Sequence, residues 1–143
     1  MTKQLIAHAA TTINAPAEKV WDALINPEMI KQYLFGTEAV SDWEVGSSIT
    51  YRGVWEGKAY EDKGTVLEVV PHKLLVSTYW SNMSGESDMP EHYKKVTYEL
   101  EEQNGATTVT VTQDNNATKE TQEHSEKNWQ MVLAGLKKLL EKS

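Results

Sequence analysis

The sequence predicts an α+β fold: a curved antiparallel sheet of about seven strands wrapped around a long C-terminal helix, with two short helices after the first strand. Three features lead there. The chain opens on a β-compatible run that hands over to two helix starts marked by Asn and Pro. Its middle alternates with period two between turn residues, and its end carries one broad apolar helical stripe.

Residues 5–13, LIAHAATTI, are β-compatible and end at Asn14-Ala15-Pro16, where Asn14 can cap a helix and Pro16 can occupy its first position. In PAEKVWDALI the apolar Val20, Trp21, Leu24 and Ile25 fall at helical spacing. NPEMIKQYLFG repeats the pattern, with Asn26 as cap, Pro27 at the first helical position and Gly36 as stop.

From 37 to 115 the helical period gives way to SSITYRGVW, AYEDKGTVLEVV, KLLVSTYW, KKVTYELEE and ATTVTVTQD, a meander of strands. Glu56-Gly57 and Asn104-Gly105 are places where the backbone can take positive φ, and Pro71 cannot extend a central ladder. YELEEQNGATTVTV is the clearest hairpin. SNMSGESDMPE, spanning 81–90 and Glu91, is rich in Ser, Gly, Asp and Pro and predicts a mobile loop. From 118 to 141, Trp129, Val132, Leu133, Leu136, Leu139 and Leu140 share a helical face. Lys137, Lys138 and Lys142 lie near the end, where cations suit the helix dipole.

A chain of 143 residues without repeats or linkers is the size of one domain, 1–143, with one core. The net charge of −7 works against nucleic acid and anionic membranes, which require clustered Lys and Arg. With no Cys there is no disulfide framework, thiolate nucleophile or Cys-based zinc site, which agrees with a reducing cytoplasm. The N-terminal run is too short and too polar for a signal segment or a bilayer span, so no membrane insertion is expected.

Catalytic motifs are scarce. His8, His72, His92 and His124 form no helical ligand pair, so no metal site is expected, and no Walker loop or dinucleotide fingerprint implies a cofactor. The serines of Met83-Ser84-Gly85-Glu86-Ser87 lack the strand-to-helix context of a nucleophile. Most carboxylates read as solvated surface. Glu61 and Asp62 could include one inward carboxylate if their strand bulges there, and desolvation would then raise its pKa and suit it to acid–base work.

The aromatics carry more information. Ile49, Tyr51, Gly53 and Trp55 share one strand face, as do Leu75, Ser77 and Tyr79, and Val96, Tyr98 and Leu100. All three faces read as inward. Their mixture of apolar bodies and polar tips suits either a solid core or a partly wet cavity.

In order and wording the chain resembles the START-like, birch-pollen-allergen-like helix-grip superfamily, in particular the family named after the activator of the Hsp90 ATPase. INAPAEKVWDALINPEMIKQYL, VGSSITYRG, KGTVLEVVPHKLLVSTYW, VTYELEEQNGATTVTVTQ and NWQMVLAGLKKLL carry the resemblance across nearly the whole chain. Thr78-Tyr79 departs from the Thr-Trp with which strands of that family often end, and the SNMSGESDMPE loop looks individual. The resemblance implies a cavity between helix and sheet, and activities that range from lipid, polyketide or flavonoid binding to cyclisation and chaperone assistance in the stress response. Together with the inward faces it leads us to expect non-catalytic binding of a small apolar, aromatic or lipid-like molecule by Tyr33, Tyr51, Trp55, Ser77, Tyr79, Tyr98, Trp129 and Leu133. The rival expectations are a chaperone partner reached through the surface and a polyketide-cyclase-type reaction using Glu61 or Asp62.

Overall fold

The structure, a computed structural model, describes residues 5–34, 36–55, 57–81, 87–116 and 118–141, and for Trp55 and Pro90 the backbone alone. Strand β1 (Ala7–Ile13) leads into helices α1 (Ala17–Ile25) and α2 (Pro27–Tyr33). Strands β2 (Glu38–Val40), β3 (Ser48–Trp55), β4 (Lys58–Val70), β5 (Leu74–Ser81), β6 (Lys94–Gln103) and β7 (Ala106–Gln113) follow, and α3 (Lys119–Glu141) closes the order. The expected α+β architecture is the one observed. The extra strand beyond the five meander segments is β2, whose three residues are too few to show a period.

All seven strands join one antiparallel sheet in the order β1-β7-β6-β5-β4-β3-β2. The Asn104-Gly105 hairpin is tight: both residues have positive φ (55° and 82°), and Gln103 pairs with Ala106. A bulge in β4 falls between Val66 and Glu68. Of the 81–90 stretch, 82–86 lie outside the described residues, and Pro90–His92 forms a 3₁₀ turn.

Asn26 caps α2 as its sequence predicts, accepting from the Glu28 amide at 3.0 Å ahead of Pro27. Asn14 does not cap α1. Pro16 occupies that position without a side-chain bond, and the Ala17 amide donates to Glu102 Oε1 of β6 at 2.7 Å. A carboxylate from a distant strand thus supplies the anion that the helix start favours.

The inner face of the sheet and one side of α3 form the core, with Ala9, Ile13, Val109 and Val111 meeting Leu133, Leu136 and Leu140. Lys137 reaches back to the Thr12 carbonyl at 2.7 Å and to Glu141 at 2.8 Å, whereas Lys142 lies outside the described residues. Among the described residues no helix is long and apolar enough to cross a membrane. Leu133 is fully buried, so Leu133→Ala is expected to cost about 2–5 kcal/mol, read as a lower urea midpoint at unchanged slope. An unmoved midpoint would mean that this stripe does not hold the helix.

Candidate functional site

The sheet and α3 part toward the start of the helix and leave a cavity of about 450 Å³, within the roughly 300–1,000 Å³ of small-molecule sites. Strands β3 to β6 contribute Tyr51, Tyr60, Asp62, Ser77, Tyr79, Val96 and Tyr98. Helix α2 adds Tyr33 and Leu34, and α3 adds Asn128, Trp129 and Val132. Val54 and Met131, 69% and 58% exposed, mark the rim.

Hairpin register sets the cavity's charge. Trp55 pairs with Lys58 across two intervening residues, so Tyr51 pairs with Asp62 and Gly53 with Tyr60. Directly opposed residues share a face of the sheet, so an inward Tyr51 brings Asp62 inward. No bulge at 61–62 is needed; the bulge in β4 lies further along. Glu61 takes the outer face and pairs with Arg52 at 2.9 Å, which removes it as a cavity acid.

Tyr79 Oη donates to Asp62 Oδ2 at 3.1 Å, while Asp62 Oδ1 is buried and has no hydrogen-bond partner among the described residues. Burial pushes the Asp62 carboxyl up, and hydrogen bonds from Ser81 and Tyr79 pull partly against it. Among the described residues, Asp62 is the only carboxylate bordering the cavity, and no Lys, Arg or His borders it.

The phenols differ in their ties. Tyr33 donates to the Ala23 carbonyl at 2.9 Å. Tyr60 bonds Thr37, whose own proton goes to the Leu34 carbonyl, so Tyr60 is the donor. Its ring folds over Gly53, where a Cβ would collide with the Tyr60 hydroxyl. The hydroxyls of Tyr51 and Tyr98 engage no partner among the described residues. Tyr98 meets Trp129 edge to face at 5.8 Å, and Trp129 is fixed by donating Nε1 to Gln113 Oε1 at 2.7 Å. Tyr51 and Tyr98 keep some accessible area because they border the cavity, but they sit deep in the protein. Burial raises the pKa of Tyr33, Tyr51, Tyr79 and Tyr98, and for Tyr51 and Tyr79 the Asp62 charge adds to it.

The structure therefore brings Tyr33, Tyr51, Ser77, Tyr79, Tyr98 and Trp129 around one space. Leu133 is corrected. It packs wholly inside the core, because the leucine stripe and the cavity-facing line of Ser125, Asn128, Trp129 and Val132 are rotated apart on α3. The side chain of Trp55 lies outside what is described. Sequence reasoning missed Tyr60 and Gln113. The two-residue turn after Trp55, combined with an inward Tyr51, was the signal that would have found Tyr60 and fixed Asp62.

A curved sheet gripping a C-terminal helix over an internal cavity defines the START-like helix-grip class. Within it, the chain belongs to the family described as Activator of Hsp90 ATPase homolog 1-like protein, matched over residues 14–141. A protein from Cytophaga hutchinsonii with a known solution structure, ChR145, is 51% identical, with a TM-score of 0.86 over 99% of this chain and 97% of that one. The Aha1 dimer from Colwellia psychrerythraea shares the fold at 22% identity and a TM-score of 0.74, covering 95% of this chain and 96% of that one. CalU16 from Micromonospora echinospora does so at 17% and 0.72, covering 96% and 83%. No curated protein matches the chain.

The fold holds the four shifted cavity phenols neutral, with pKa values above the ordinary 10.0 that applies once the chain unfolds. Their contribution to stability is whole below pH 10 and is lost as the pH climbs above it. Phenolate absorbance should show these four un-ionised until the protein opens, then a cooperative step coincident with loss of circular dichroism. Gradual ionisation in a folded chain would contradict the burial.

Proposed function

We propose that the protein binds a small, largely apolar molecule, aromatic or lipid-like, between the sheet and α3, without transforming it. The observation that carries this reading is a set of polar atoms beside the cavity with no hydrogen-bond partner among the described residues: the hydroxyls of Tyr51 and Tyr98, and Asp62 Oδ1, which is buried outright. Leaving a buried polar group such as Asp62 Oδ1 unsatisfied costs about 1–3 kcal/mol, and a ligand that bonds it recovers part of that cost. The rings of Tyr33, Tyr79, Tyr98 and Trp129 supply an apolar wall, where each offset or edge-to-face contact adds about 0.5–1.5 kcal/mol. Cytoplasmic residence belongs to the same reading and is supported by the cysteine-free composition.

Family membership supports a second reading, in which the protein contacts an Hsp90-type chaperone and stimulates its ATPase. A chaperone pull-down joined to an ATPase assay tests it independently of the cavity.

For the leading reading, a panel of flavonoids, polyketide-like aromatics, fatty acids and aromatic amines is titrated against Trp fluorescence and tyrosine side-chain NMR signals. At least one class should give a saturable shift at Tyr51, Tyr79, Tyr98 and Trp129. Tyr98→Leu should then weaken binding roughly 3- to 10-fold with circular dichroism unchanged. A panel that moves none of these signals removes the reading.

A further inference from the structure

The charge of the ligand follows from the groups around Asp62, given the ligand-binding reading above. Among the described residues, the cavity borders one carboxylate, Asp62, and no cationic side chain. The cations nearest in sequence and register are turned away: Lys63 alternates to the outer face, where it pairs with Asp88 and lies 5.5 Å from the centre of the Trp80 ring, and Arg52 pairs with Glu61. Tyr79 donates to Asp62 Oδ2 and Ser81 also hydrogen-bonds the carboxylate, but Oδ1 is buried with no hydrogen-bond partner among the described residues. The rings of Tyr33, Tyr51, Tyr60, Tyr79, Tyr98 and Trp129 border the same cavity, and ring faces attract cations.

We propose that the cavity selects an apolar, ring-bearing molecule that carries a protonated amine, which pairs with Asp62 Oδ1, and that it rejects apolar carboxylates. An ammonium supplies both the missing donor and the missing counter-charge. A neutral hydroxyl supplies only the donor. A carboxylate brings a second negative charge into a desolvated site, where two such groups cannot both stay ionised without a large cost.

The test uses three molecules on one ring system, naphthylmethylamine, naphthylmethanol and naphthoate, titrated calorimetrically into the intact chain at neutral pH, with Trp129 NMR signals followed in parallel. The amine should bind about tenfold more tightly than the alcohol, the margin of a charge-assisted over a neutral hydrogen bond, and naphthoate should bind most weakly. Asp62→Asn, which retains an acceptor for Tyr79, should abolish the preference for the amine and leave alcohol binding within about threefold. The ordering in the unaltered protein is decisive whether or not the variant folds. If the alcohol or naphthoate binds and the amine does not exceed it, charge selection is overturned while the cavity reading stands. If none of the three binds and the Trp129 signals stay unmoved, both are overturned.

Discussion

The fold depends on α3 being held in two different ways along its length. Its second half is clamped by Leu133, Leu136 and Leu140, which bury against the sheet by the ordinary hydrophobic effect. Its first half has no such residues and is tied instead by polar contacts: Gln122 to the Ile6 carbonyl at 2.7 Å, Ser125 to Asn116 at 3.3 Å, Trp129 to Gln113 at 2.7 Å, and Glu126 to the His8 amide at 3.0 Å. Where leucines fill the space there is core. Where hydrogen bonds hold the helix across the space there is a cavity.

That division explains where the molecule carries its cost. Asp62 has a folded-state pKa above its unfolded value, so its contribution to stability is present at acid pH and lost as the pH rises through the folded value. Burial beside the cavity disfavours the charged form of Asp62, a burden that suits a recognition site and has no use in a packed core. The leucine end and the cap that Glu102 gives α1 offset it elsewhere.

Much of this was legible in the sequence because it is local. Asn26-Pro27, Asn104-Gly105 and the period-two faces of Tyr51, Ser77 and Tyr98 each act through neighbouring backbone, and each stands in the structure as read. What was not legible depends on distant partners. Nothing near Asn14 announces that a carboxylate from β6 will satisfy Ala17. The stripe on α3 identifies an apolar face but not its rotation, so Leu133 and Trp129 read as neighbours on one wall although only Trp129 meets the cavity. The inward placement of Asp62 lay between these extremes: it was available once the turn after Trp55 was joined to the face of Tyr51.

That same turn makes the polarity of the site a property of loop length. The inward set on β4 is Tyr60, Asp62, Gly64 and Val66, opposite Gly53, Tyr51 and Ile49 at its first three positions. One residue added between Trp55 and Lys58 would slip the pairing by one and present the alternate set, Glu61, Lys63, Thr65 and Leu67, to the interior. A single-codon insertion could therefore exchange a purely acidic interior for one that contains a lysine, without changing any side chain on the strand. The spacing of that turn thus decides which charged side chains of β4 face the interior.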